Sequence, residues 1–174
     1  MRLYGVTGWK NSGKTGLMER LVAEIAGRGL TVSTVKHAHH ATEIDHPGRD
    51  SHRHREAGAC EVIVASPVRW AVMHELRGAP EPPLSQLLAH LGPVDLVLVE
   101  GYKRAPHPKV EAHRPETGRP LLAPENPTVR AVASTAAPDH PALAGLSVPV
   151  LALGDTGAVA DFILREVGLA EAVA

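Results

Sequence analysis

The chain has 174 residues, of which 44% are hydrophobic and 21% charged, and a formal net charge of −1 at pH 7. That is enough for one domain with a real core, while the balanced charge gives no electrostatic footprint for DNA, RNA or an acidic membrane surface. An aromatic content of 3% argues against a base-stacking surface, and a single cysteine, Cys60, excludes an internal disulfide or a multi-cysteine zinc site.

Taken in chain order, Leu3, Tyr4 and Val6 open an apolar strand. Next comes Gly8-Trp9-Lys10-Asn11-Ser12-Gly13-Lys14-Thr15, a complete G-x-x-x-x-G-K-[ST] phosphate loop. Gly8 and Gly13 let backbone N–H groups turn inward toward phosphate oxygens. Lys14 supplies a cation to the β- and γ-phosphates, and the Thr15 hydroxyl is a ligand for Mg²⁺. With Gly16 the next helix is under way, so its positive end faces the same anion. Leu17, Leu21, Val22 and Ile25 continue it at helical spacing until Gly27 and Gly29 close it.

Residues 31–36 read as a second strand, residues 37–50 as a polar loop and residues 51–57 as a short helix. Residues 61–65 and 69–74 read as a hairpin turning at Ser66-Pro67. Leu84, Leu87, Leu88 and Leu91 mark a short amphipathic helix. The run Val-Asp-Leu-Val-Leu-Val at 94–99 is the candidate central, doubly buried strand. Residues 105–127 contain six prolines and read as a looping excursion, with room for a strand around 109–113. Strands at 129–133 and 148–153 and a helix at 158–167 complete the series. This alternation predicts one α/β domain over residues 1–174: a P-loop NTPase-like fold, mainly parallel, with helices on both faces of the sheet. Its active residues belong at the carboxyl ends of the strands.

That rule sorts the acidic residues. Glu100 ends the run Leu96–Val99 beside the phosphate loop, where a carboxylate can hold Mg²⁺ or one of its waters; Asp95 belongs at the opposite end. Gly101 lets the backbone pass close to a phosphate. Six of the eleven histidines fall between His37 and His54. Two uses compete for this segment: a transition-metal site made from His37, His39, His40, His52 and His54, or a loop over the triphosphate with Asp45 or Asp50 on the metal. The Asp45-x-Pro47-Gly48-x-Asp50 spacing suits a turn that brings both carboxylates to one place. Arg53, Arg55, Lys103, Arg104 and Lys109 are candidates for an anion site beyond the loop. Lys10 can reach a phosphate or a dimer interface, and Trp9, placed at the loop's exposed tip, suits a partner contact. There is no Asn-Lys-x-Asp motif to read guanine; Asp139 is the candidate base contact, with Asp155 as competitor. Cys60 reads as a small apolar residue in or near the core. No apolar run reaches membrane-spanning length and the chain enters a strand directly, so the expected compartment is the cytoplasm.

Together these residues resemble the MobB family of molybdopterin-guanine dinucleotide biosynthesis proteins. The resemblance rests on Gly8–Thr15 and on Val35-Lys36-His37-x-His39-His40. It rests also on Asp45-x-Pro47-Gly48-x-Asp50-Ser51-x-Arg53-His54-Arg55-x-Ala57-Gly58-Ala59, and on Asp95 to Lys103 followed by Pro108-Lys109-Val110-Glu111. It covers about the first two thirds of the chain. The resemblance implies a GTP-binding homodimer, at most a weak GTPase, that assists a MobA-like guanylyltransferase joining GMP to molybdopterin. On it, Gly8–Thr15 cradle the GTP phosphates, Glu100 or Asp45 tends Mg²⁺, and basic residues near Arg53 and Lys103 face the pterin phosphate or the partner. Absence of a Gln or Arg in a water-positioning motif fits slow hydrolysis. Two other functions compete: a GTP-dependent metal-delivery chaperone using the His-rich loop, and a small-molecule kinase.

Overall fold

The computed structural model describes residues 1–38 and 44–170. They form two compact units, residues 1–37 with 90–174, and residues 38–89.

The first unit is built on a six-stranded parallel sheet. Its strands are β1 (Arg2–Thr7), β2 (Val32–Lys36), β5 (Leu96–Glu100), β6 (Lys109–His113), β7 (Val129–Ser134) and β8 (Val150–Ala152), in the spatial order β2-β5-β1-β6-β7-β8. After β1 the chain passes through α1 (Lys14–Gly27) to β2 on one side; β6 later joins β1 on the other. The carboxyl end of β1 is therefore the switch point of the sheet, where a crevice opens.

Helix α1 forms because Leu17, Met18, Leu21 and Ile25 recur on one face, and all four are buried. The closing helix α4 (Thr156–Glu166) buries Val159, Ala160, Ile163 and Leu164 in the same cluster as α1, Tyr4, Val6, Leu96 and Leu98. Each Leu or Ile so buried stabilises the fold by about 2 kcal/mol. Asp155 caps α4 by accepting the Ala158 N–H at 2.9 Å. The two long helices thus share one face of the sheet. The opposite face is covered in part by the loop after β6, whose short 3-10 turn at Ala123–Glu125 lies against β7.

The Pro-rich stretch holds the main surprise. The strand around 109–113 is not peripheral: β6 runs between β1 and β7, and all five of its residues are buried. Its sequence, Lys-Val-Glu-Ala-His, looks half solvated because every second residue is ionisable. Val110 and Ala112 enter the core, while the alternate side chains find fixed partners on the other face. Lys109 Nζ donates to Ala105 O and His107 O at 2.7 Å and to Thr128 Oγ1 at 2.8 Å. Glu111 accepts the N–H groups of Leu122 and Ala123 at 2.8–2.9 Å, and His113 Nδ1 lies 2.9 Å from Ser134 Oγ. Burial pushes Lys109 down to about 8 and lifts Glu111 above the ordinary carboxylate range, the latter opposed by its two N–H donors.

The second unit contains α2 (Asp50–Glu56), the antiparallel hairpin β3 (Glu61–Ala65) and β4 (Trp70–His74), and α3 (Leu84–Leu88). The hairpin turns where Ser66 Oγ accepts the N–H groups of Val68 and Arg69. Along α3, Leu84, Leu87 and Leu88 are its half-buried apolar residues. Cys60, expected in or near the core, is exposed at the base of the hairpin, where its carbonyl accepts the Glu75 N–H at 2.9 Å. Among the described residues no helix is long and apolar enough to cross a membrane.

Candidate functional site

The phosphate loop links β1 to α1 across residues whose backbone only this composition tolerates. Gly8, Asn11 and Gly13 have φ of 138°, 66° and 94°. A Cβ on Gly8 would lie 2.5 Å from Ala112 O and 2.6 Å from Ser12 Oγ, so the loop is pressed against the sheet. Gly13 caps α1 without any side-chain hydrogen bond, which leaves the first N–H groups of the helix directed at the loop's mouth. Ser12 is buried, and its hydroxyl has no partner among the described residues.

Lys14 Nζ donates to Trp9 O at 2.6 Å, across the loop it belongs to. Burial holds its pKa below the usual lysine value, with Lys103 and Lys36 adding to the depression and Glu100 opposing it. The Thr15 hydroxyl donates to Glu100 Oε1 at 3.0 Å, and Lys36 Nζ stands 3.6 Å from Glu100 Oε2. Register explains the meeting: Val6, Lys36 and Glu100 are mutually aligned across β1, β5 and β2, so all three strands end at one level beside the loop. Gly101 follows with φ 95°, its N–H bonded to Val6 O, and a Cβ there would come within 3.0 Å of His37 Cβ. His37 in turn stacks on Tyr102 with centroids 4.6 Å apart. Hydroxyl plus buried carboxylate at the amino end of a helix is a donor set of hard oxygens suited to Mg²⁺. A cavity of about 470 Å³ lies above it, lined by Asn11, Gly13, Lys14, Thr15, Gly16 and Arg114.

Asp95 sits at the far end of β5, where it accepts the Thr31 N–H at 2.8 Å and the Thr31 hydroxyl at 2.6 Å. Asp139 is exposed in the loop after β7, and Asp155 is occupied as the cap of α4.

Several residues do other work than the sequence suggests. Trp9 is not at an exposed tip. It is half-buried, its Nε1 donates to Pro120 O at 2.7 Å, and Lys103 Nζ lies 3.9 Å over its ring, so its partner is the chain's own Pro-rich loop. Lys109 is a buried staple, not an anion ligand. In the second unit, Asp45 and Asp50 do not converge. The Asp45 side chain is 10% exposed and lies 3.6 Å from Arg55, whereas Asp50 opens α2, is 90% exposed and pairs with Arg53 at 3.7 Å. The left-handed turn at Gly48 and the start of α2 separate them. Arg55 also bonds Glu75 at 2.5 Å, which neutralises it within its unit. His39 and His40 lie outside the described residues, and among the described ones no group of three His, Cys, Asp or Glu is placed to hold a metal.

The sequence reading passed over Arg114 and Arg119. Both follow β6 in the Pro-rich loop, and the only signal for them was that a strand end beside β1 must open onto the phosphate loop.

Comparison with known proteins agrees with this geometry. A family model described as "Molybdopterin guanine dinucleotide synthesis protein B" matches residues 3–135. A molybdopterin-guanine dinucleotide biosynthesis adapter protein of Haemophilus influenzae is 45% identical over 122 residues, 68% of this chain and 67% of that one. The adapter protein of that name from Escherichia coli is 34% identical over 165 residues, 94% and 91% of the two chains. Among solved structures, the MobB protein homolog from Bacillus stearothermophilus superposes with a TM-score of 0.69 at 31% identity, covering 97% of this chain and 99% of that one. The likeness thus extends past the first two thirds of the sequence into its carboxyl-terminal third. On its fold, its phosphate loop and these matches, the chain belongs to the MobB family.

Proposed function

We propose that this protein is an adapter of molybdopterin guanine dinucleotide biosynthesis that binds GTP with Mg²⁺ in the phosphate loop and supports a MobA-like guanylyltransferase in the cytoplasm. The observation that carries this reading is the Thr15–Glu100 contact at 3.0 Å, set beside Lys14 and the uncapped start of α1. Backbone N–H groups and the Lys14 ammonium neutralise the phosphates, while Thr15 and Glu100 would hold the metal, which when bound screens charge on the phosphate oxygens. Asp139, exposed in the loop after β7, is the base contact. Lys36 Nζ, 3.6 Å from Glu100 Oε2, adds a second cation beside the site. The described residues of the site are phosphate- and metal-binding groups, which suits an adapter with at most weak GTPase activity.

A homodimer accompanies this reading. The hairpin aligns Ile63 with Val72 and Ala65 with Trp70 on one face, and Ile63 and Trp70 are 66% and 68% exposed. An apolar two-stranded face of this kind is stabilised by a second copy. The deciding experiment is a thermal-shift panel with GTP, GDP, GMP, ATP and molybdopterin, each with and without Mg²⁺, alongside native mass measurement. Stabilisation largest for GTP with Mg²⁺ supports the proposal; indifference to every triphosphate at millimolar concentration refutes it.

A further inference from the structure

Strand β5 ends at Glu100, and the chain turns at once through Gly101 and Tyr102, whose φ are 95° and 44°. Glycine takes that left-handed region freely. A tyrosine pays for it through its own Cβ, and keeps the conformation only where its surroundings compensate. Three contacts do so here. The Ala105 N–H closes the turn on Tyr102 O at 3.0 Å, and the Gly101 N–H donates to Val6 O at 3.0 Å. The Tyr102 ring lies on His37, with centroids 4.6 Å apart and planes inclined by 28°. His37 is fixed to the same strand end, since its own N–H donates to Glu100 O at 3.0 Å and its Cβ would stand 3.0 Å from one placed on Gly101. The stack therefore clamps the end of β2 to the turn, with the Glu100 backbone between them. Neither ring lines the cavity above the phosphate loop, so any action on a bound ligand is indirect.

We infer that the His37–Tyr102 stack positions the metal-binding carboxylate: by holding the turn after β5 in its left-handed form, it fixes Glu100 Oε1 against the Thr15 hydroxyl. The inference rests on the reading of Thr15 and Glu100 as Mg²⁺ ligands, and it names what aims one of them. Thr15 is anchored on α1, whereas Glu100 is carried by the strand end that the stack holds. A relaxed turn shifts one oxygen relative to the other. Mg²⁺ is sensitive to that shift, because it demands near-ideal octahedral geometry at short oxygen distances. Lys14 and the backbone N–H groups of the phosphate loop belong to a separate segment and stay in place. The stack thus governs the Mg²⁺-dependent part of nucleotide affinity and spares the rest.

The test uses the full-length protein and calorimetry of GTP binding, with saturating Mg²⁺ and with a chelator. Tyr102→Gly keeps the left-handed backbone and removes the ring, Tyr102→Phe keeps the ring, and His37→Ala removes the other half of the stack. Tyr102→Gly and His37→Ala should each raise the Kd for GTP about fivefold with Mg²⁺ and less than about twofold without it. Tyr102→Phe should stay within about twofold of the parent in both conditions. The double variant should lose no more than either single one, because one contact can be lost only once. Should Tyr102→Gly fail to fold, which its unliganded melting shows, His37→Ala decides by the same pair of affinities. Equal losses with and without Mg²⁺, a Tyr102→Phe protein as weak as Tyr102→Gly, or losses that add in the double variant would each overturn the inference. A parent that binds GTP with Mg²⁺ while the variants match it refutes the inference alone. A parent that binds no GTP refutes the nucleotide reading, and the inference falls with it.

Discussion

His107 gives the fold a measurable sensitivity to acid. The residue is 8% exposed and its ring packs on Gly5, where a Cβ would lie 2.7 Å from Nε2, and among the described residues neither ring nitrogen has a hydrogen-bond partner. Burial, with Lys109 adding, pushes its pKa down from 6.5 to about 4. Above pH 6.5 the ring is neutral whether the chain is folded or not, so it contributes no pH dependence. Between pH 6.5 and about 4 the unfolded chain takes up a proton there that the folded chain refuses, and stability falls as pH falls. At roughly 1.4 kcal/mol per pH unit, that window corresponds to about 3 kcal/mol. The perturbation is His107→Gln, which keeps the volume and removes the titration. Urea denaturation at a series of pH values should show the variant losing about 3 kcal/mol less than the parent across the window, whatever its stability at neutral pH. His113, also held low by burial, is common to both proteins and cancels in the comparison. Parallel pH profiles for the two proteins would refute the reasoning, since the slope and not the intercept carries it.

Other consequences are as direct. Lys14→Ala should abolish GTP-dependent thermal stabilisation and leave the unliganded melting temperature nearly unchanged, because the ammonium lies at the loop's mouth and not in the core. Glu100→Gln keeps the Thr15 contact but loses a charge; it should raise the Kd for GTP about tenfold with Mg²⁺ and less than about twofold without it, and equal losses in both would mean a structural role. Gly8→Ala drives a methyl to 2.5 Å from Ala112 O at a φ of 138°, and should cost about 3 kcal/mol or more in unfolding free energy. Trp9→Ala removes the bond to Pro120 and should expose the loop around 115–122 to limited proteolysis without altering oligomer mass; a change of mass with the loop still protected would return Trp9 to a partner interface.

Local sequence was sufficient for most elements because their signals are local. The G-x-x-x-x-G-K-[ST] spacing dictates its own turn and the helix after it, and the apolar stripe from Leu17 to Ile25 states which face of that helix is buried. Leu96 to Val99 could only be a strand covered on both sides, and that in turn placed Glu100 at its carboxyl end beside the loop. Tertiary structure alone decided the rest. Lys109, Glu111 and His113 show no partners in the sequence; Ala105, Thr128, Leu122 and Ser134, distant in sequence or set by the course of a loop, supply them. That pairing makes β6 a central strand, and only a central β6 can present Arg114 and Arg119 to the phosphate loop. Trp9 shows the same dependence: its polar edge and its ring face are satisfied by Pro120 and Lys103, more than ninety residues away. A pattern in sequence reports which face of an element avoids water. Which buried charge meets which partner is fixed only when separate strands come side by side, since the cost of leaving it unpaired exists only there.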